Sequence, residues 1–356
     1  MPTVVPFGPQ HPILAEPIRF LLELQEEAVT GAEFEIGYMH RGIEKAMEND
    51  YVKNIFLAER VCGICSAVHS ITYTHAVEKA CDVQVPQRAK YIRTIMLELE
   101  RLHSHILWLG IAAEAIGFEN LFMLCWRDRE VIMDLLETIS GNRVHYGCPL
   151  PGGVRFDIDG KMHKHILSQL DLFVRSARKI ERSLYNDYTL INRLSGIAVL
   201  SKAIAKKYGL VGPDARASGV NNDCRLDGYE AYDRLEFYPV LKEGGDNLDR
   251  VVIRIDEVFQ SVDLIRQCLD QIEPGPILDE YKGRVGGEAC FRAEAPRGEL
   301  FYYIKGNGTK ELERCKIRTP TLANVAMLKK LVIGLEYADV PITVLSFDPC
   351  MSCQDR

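Results

Sequence analysis

No stretch of this chain holds the roughly 18 uninterrupted apolar residues that a membrane-crossing helix needs. The nearest attempt, "ILWLGIAAEAIGF", is broken by Glu114. The start, "MPTVVPFGPQHP", lacks the basic segment and apolar run of a secretion signal. A cytoplasmic protein that reaches a membrane only through partners is therefore expected. A basic stripe is also missing: the net charge is -7, with Lys and Arg interspersed among acids, which argues against nucleic-acid binding. No phosphate-loop motif occurs, and the Gly306, Asn307, Gly308 triplet has the context of a hairpin turn, without the strand, turn and helix of a nucleotide fingerprint. Nor is there a repeat, a low-complexity tract or a Ser/Gly linker, so a single domain over residues 1–356 is expected.

What the chain has is a 47% hydrophobic composition over 356 residues, enough for a sizeable core, and eleven cysteines. Cysteines in such a context argue for reduced thiols or metal ligation over disulfides. Seven stand alone, Cys81, Cys125 and Cys268 among them, and are read as buried, inert thiols. The other four form two CxxC pairs, Cys62 and Cys65 in "ERVCGICSAVHS" and Cys350 and Cys353 in "SFDPCMSCQDR". A segment so near the last residue frays unless something ties it down, and paired thiols are a candidate tie.

Apolar residues Ile92, Ile95, Met96, Leu99, Leu102 and Ile106 recur at helical spacing from Arg88 to Leu109. The same period predicts helices over Lys164–Tyr188, Leu248–Ile272 and Thr321–Tyr337. Alternation predicts strands within Arg19–His40 and Gly287–Ile317, the latter an antiparallel sheet just before the last helix. The expected fold is mainly α (α+β), a long-helix bundle with small antiparallel sheets.

Thiolates are soft ligands that select zinc, copper, nickel or iron. Spacing alone leaves a four-cysteine zinc site, an iron–sulfur cluster and redox thiols all open. A short zinc ribbon fits poorly, because such sites clip ~15 to ~20 residues between their pairs and these pairs lie most of the chain apart.

The residues around the pairs go further. "GPQHP", "HRGIE", "RVCGICSAVH", "EAPRG" and "DPCMSC" together resemble the large subunit of nickel–iron hydrogenases. "ELERLHSHILWLG", "PGGVRFDIDG", "GPDARASG" and "YPVLKEGGDNLDR" resemble the branch shared with the 49 kDa subunit of respiratory complex I. Both CxxC pairs are kept, which by this resemblance implies the catalytic subunit of a group 4, energy-converting, membrane-bound hydrogenase. A metal-free quinone-site subunit of a complex I-like assembly is the alternative, and a structural zinc scaffold a third reading.

The resemblance implies a Ni–Fe centre whose iron carries CO and cyanide. It makes Cys62 and Cys350 terminal nickel ligands, and Cys65 and Cys353 bridges to iron. Cys350 is the implied base for the proton of polarised H2, and Glu16 the carboxyl that carries that proton away. The same resemblance implies that Arg297 lies over the open metal face with Asp348 as its partner, that His69 hydrogen-bonds a bridging sulfur, and that Thr321 serves a cyanide ligand or caps the last helix. In many relatives a histidine at the position of Arg356 binds magnesium or iron together with the glutamate matching Glu44. Arginine cannot ligate a metal, so a Glu44–Arg356 ion pair is expected in its place. With no CxxCxxC motif, no Fe-S cluster is expected in this chain. The implied partners are a small subunit with a 4Fe-4S cluster, ferredoxin and membrane-arm subunits, at the cytoplasmic side of the cell membrane.

Overall fold

The structure, a computed structural model, describes residues 3–356. Three antiparallel strands come first, β1 (Thr3–Phe7), β2 (Arg19–Gln25) and β3 (Ala28–Glu35). Their register sets Phe7 opposite Phe20, and Phe20 opposite Phe34. Five long helices follow: α1 (Ser66–Cys81), α2 (Gln87–Ala115), α3 (Glu119–Ser140), α4 (Gly160–Asn186) and α5 (Asn247–Gln271). A second antiparallel sheet is built from β4 (Glu288–Ala295), β5 (Gly298–Gly306) and β6 (Leu312–Arg318). The chain then runs through α6 (Pro320–Leu331), α7 (Val340–Ser346) and the short α8 (Met351–Asp355). Shorter helical segments join these elements. The expected mainly helical α+β fold is the one observed.

Helix α2 is the axis. It is 29 residues long, or about 44 Å at 1.5 Å per residue, and α1, α3, α5 and α7 all pack on it. Because its middle is covered on every side, the charged residues Arg93, Glu98, Glu100 and Arg101 are buried too, and each needs a partner. Arg93, for example, reaches Glu78 at 2.6 Å and Glu230 at 3.2 Å. Asp side chains start two neighbouring helices: Asp159 accepts from Met162 N and Asp246 from Asp249 N, satisfying backbone donors that the helix cannot.

The predicted hairpin turn at Gly306–Gly308 joins β5 to β6, with Gly308 at φ 83°. Strand β5 alternates buried and half-buried residues along its whole length, and this points Tyr302 into the core. The last long helix ends at Leu331, six residues before the periodicity predicts. Gly334 adopts φ 88°, and its N–H donates to Val29 O, so the chain leaves the helix to bond with β3. Two lone cysteines depart from expectation: Cys290 is exposed on the solvent side of β4 and Cys81 is half-buried, while the other five are buried.

The buried residues form two apolar clusters. The larger surrounds α2, and the smaller lies between the β1–β3 sheet, α6 and α7. The "DPCMSC" segment runs between them, with Cys350 and Cys353 in the larger and Met351 in the smaller. Among the described residues no helix is long and apolar enough to cross a membrane.

Candidate metal centre

The first cysteine pair sits in the turn that feeds α1. Cys65 immediately precedes that helix and gives it no side-chain cap. Glu100 of α2 does so instead, its carboxyl accepting from Ala67 N and Val68 N. The second pair lies at the start of α8, where the Cys350 sulfur accepts from Cys353 N at 3.4 Å. Asp348 enters this turn in a left-handed conformation, φ 49°, and Pro349 follows it.

The two pairs interleave. Cys62 Sγ is 3.4 Å from Cys350 Sγ, and Cys65 Sγ is 3.5 Å from Cys353 Sγ. All four residues are 3% exposed or less. These separations far exceed the ~2.05 Å of a disulfide, so the thiols converge without bonding. The sulfurs of Cys62, Cys350 and Cys353 lie within 4.8 Å of one another, as do ligand atoms of Cys65, His69 and Cys353.

Four thiols this close cannot all ionise unless a cation compensates them. Hydrogen bonds from Cys350, Cys353 and Cys65 hold the Cys62 thiol well below the usual range, while those with Cys350, Cys62 and Cys65 push Cys353 above it. A soft metal ion would supply that compensation, and the all-sulfur donor set fits nickel, iron or zinc and disfavours magnesium.

His69 lies one helical turn beyond Cys65. Its Nε2 is 3.5 Å from Cys353 Sγ, and its Nδ1 is 2.8 Å from the Tyr302 hydroxyl. Burial lowers its pKa to about 4, so the ring is neutral at neutral pH. With Tyr302 donating to Nδ1, the Nε2–H is free to donate to the sulfur.

Arg297 occupies the turn between β4 and β5. Its Nε donates to Asp348 O at 3.0 Å, Nη2 to Asp348 Oδ1 at 2.8 Å and Nη1 to Ser104 Oγ at 3.4 Å. That turn is pressed against the backbone of Gly212. A Cβ at Gly212 would come within 2.2 Å of Arg297 O, which is why "GPDARASG" needs glycine first. Thr321 does not cap α6. Thr319 does, one residue ahead of Pro320, and the Thr321 hydroxyl instead accepts from Cys350 N at 3.2 Å. Thr319 also donates to Cys353 O.

Glu16 contacts the second cysteine turn rather than a sulfur. Its carboxylate accepts from Ser352 N at 2.9 Å and from the Ser352 hydroxyl. Glu44 and Arg356 meet at 2.9 Å, and Glu44 also accepts from Lys316 and from Ile317 N. These donors hold the Glu44 carboxyl below its usual range although burial opposes them. The structure thus brings Cys62, Cys65, His69, Arg297, Thr321, Asp348, Cys350 and Cys353 to one buried centre, with Glu16 at its edge. The Glu44–Arg356 pair lies behind α8.

Several residues escaped the sequence reading: Arg41, Glu100, Ser104, Tyr302, Thr319 and Ser352. Arg41 and Ser352 stand inside motifs already singled out, and the alternation of β5 marks Tyr302 as inward-facing. Glu100 and Ser104 also stand inside the motif "ELERLHSHILWLG", but a glutamate in a helical repeat reads there as a solvated residue.

A family model described as respiratory-chain NADH dehydrogenase, 49 kDa subunit, matches residues 115–286 and 282–356. A second, described as nickel-dependent hydrogenase, matches residues 41–116. The membrane-bound hydrogenase subunit alpha of Pyrococcus furiosus is 40% identical, over 99% of this chain and 87% of that protein. The carbon monoxide-induced hydrogenase of Rhodospirillum rubrum is also 40% identical, over 99% of both. One subunit of the F420H2 dehydrogenase of Methanosarcina mazei is 37% identical, over 99% and 97%. A chain of the membrane-bound sulfane sulfur reductase, an archaeal respiratory membrane complex, superposes with a TM-score of 0.94 at 33% identity, covering 100% and 98%.

Proposed function

The chain belongs to the family of the respiratory 49 kDa subunit and the membrane-bound hydrogenases that share its fold, and from that premise we propose that it is the catalytic subunit of an energy-converting nickel–iron hydrogenase. The reaction is the reversible reduction of two protons by two electrons to H2. The observation that carries this reading is the convergence of four buried cysteine sulfurs from two distant CxxC pairs.

Cys62, Cys65, Cys350 and Cys353 would hold a nickel–iron pair, which would supply Lewis acidity toward H2. Cys350 is placed to hold the released proton at Sγ, since a terminal thiolate keeps free lone pairs. Glu16 then passes it outward from beside Ser352. His69 donates to Cys353 and tempers that sulfur's basicity. Arg297 keeps a fixed positive charge beside the centre, oriented by Asp348. Thr321 holds the Cys350 amide and so sets that sulfur's height. CO and cyanide on the iron belong to this proposal, and Arg297 and Thr321 would donate hydrogen bonds to the cyanide.

Electrons must cross from another subunit, because the chain offers no cysteine motif for an iron–sulfur cluster. A small subunit with a 4Fe-4S cluster, with ferredoxin as the ultimate donor, completes the path. Membrane-arm subunits then couple it to ion translocation at the cytoplasmic face. Arg356 and Ile317 N engage Glu44 Oε1 and Lys316 engages Oε2, so an ion pair takes the place of magnesium at Glu44.

The metal-free quinone-site reading is favoured by the larger share of the chain that the 49 kDa family model matches. Nickel, iron and zinc content of the anaerobically purified complex separates the readings. Nickel and iron in the wild type, with nickel reduced in Cys350→Ser, is the expected result. Zinc alone, or no metal in protein purified with its maturation machinery intact, overturns the hydrogenase reading.

A further inference from the structure

A single guanidinium reaches both cysteine pairs. Arg41 Nη1 donates to Arg60 O at 2.7 Å, and Nη2 donates to Val61 O at 2.8 Å and to Ser352 O at 2.9 Å. The first two carbonyls belong to the segment that delivers Cys62. The third lies between Cys350 and Cys353. The Arg41 Nε is anchored on Met39 O at 3.2 Å, which fixes the base of the fork.

Ser352 is held from its other side by Glu16, whose carboxylate accepts from both its N–H and its hydroxyl. Its three polar groups are therefore gripped by two side chains of opposite charge, both from the first 41 residues. The sulfurs on either side of Ser352 must stay in register with partners 288 positions earlier in the chain. A metal–sulfur bond tolerates about 0.2 Å of error, and neither cysteine loop is part of a sheet ladder that could hold it so closely.

We propose that Arg41 is a positioning residue of the metal centre: its guanidinium fixes the separation of the two cysteine pairs and, through Ser352, the place of the Glu16 carboxyl. The proposal rests on the reading of the four thiols as a metal site. A guanidinium suits the task because its donors are rigid and coplanar, so three carbonyls are held at one fixed spacing. A lysine ammonium is a point charge on a flexible stem and sets no such spacing. The side chain is exposed on its outer edge, so a small guanidinium compound can enter the space that truncation leaves.

Two measurements test this. In the metal-free full chain, the rate at which diamide, a two-electron thiol oxidant, closes a Cys62–Cys350 disulfide is followed by mass spectrometry of the linked peptides. In the assembled complex, the rate of nickel loss to EDTA is followed by metal analysis. Arg41→Ala is expected to slow the first and speed the second by about tenfold or more, the scale of one lost charge-assisted hydrogen bond. Ethylguanidinium restores most of both, and Arg41→Lys behaves like Arg41→Ala. Disulfide closure within about twofold of wild type in Arg41→Ala, well under the cost of one such bond, overturns the proposal. Faster nickel loss that ethylguanidinium leaves unchanged does so too. A wild-type complex without nickel defeats the hydrogenase reading but leaves the disulfide measurement intact, so the two failures are distinguishable.

Discussion

Arg297 Nη2 donates to Asp348 Oδ1 at 2.8 Å, while Asp348 Oδ2 has no hydrogen-bond partner among the described residues. The pair is buried beside the four thiols, so removing one member leaves the other's charge uncompensated. Arg297→Ala is expected to lower the stability of the complex by about 3 kcal/mol. The double variant Arg297→Gln/Asp348→Asn recovers much of that. If the guanidinium serves the reaction as well as the scaffold, H2/D+ exchange stays low in both. Denaturant unfolding alongside the exchange assay separates the two roles, and exchange that returns with stability assigns Arg297 to the scaffold alone.

Glu16→Gln keeps a side chain that can still accept from Ser352 N, so nickel content is expected to hold. Exchange between H2 and solvent protons should fall by about 100-fold, the scale of general acid–base assistance. Near-normal exchange in this variant removes Glu16 from the proton path.

Glu100 couples stability to pH. Burial pushes its carboxyl up to about 8, although Val68 and Ala67 N–H groups oppose the shift. The unfolded chain releases that proton near pH ~4.3. Between these values the folded state holds a proton that the unfolded state has lost, so stability declines as pH rises through the window. Relative to Glu100→Gln, the wild type should lose about 4 kcal/mol between pH 5 and pH 8. Parallel urea titrations at several pH values check this, and two curves of equal slope would show that Glu100 is ionised throughout.

The Glu44–Arg356 contact predicts indifference to divalent cations. Removing free magnesium should leave the melting temperature unchanged, whereas Arg356→Ala should cost about 1 kcal/mol by loosening α8. A melting temperature that falls on chelation and recovers specifically with magnesium would restore a second metal site at Glu44.

The helices were legible because core-facing residues recur with the helical period, as in Ile92, Ile95, Met96 and Leu99 of α2. That rule could not find the end of α6, which is set by a bond from Gly334 to Val29 in a distant strand. Nor could it assign Glu100 to the first turn of α1, or show that the Thr321 hydroxyl faces Cys350. Arg297 shows the same limit: a turn arginine in a hairpin reads as a surface charge, whereas the fold buries it against Asp348 and Ser104.

The sequence by itself determined the donor chemistry: four cysteines in two CxxC pairs, with an arginine, a histidine and a carboxyl in motifs around them. Tertiary structure alone decided which sulfur faces which, Cys62 with Cys350 and Cys65 with Cys353, and which side chains grip the turns that carry them. Spacing within a motif is enforced by covalent geometry and can be read directly. The meeting of segments 288 residues apart depends on packing around α2 and on the hydrogen bonds that the Arg41, Thr319 and Thr321 side chains make to the backbone of the second cysteine turn.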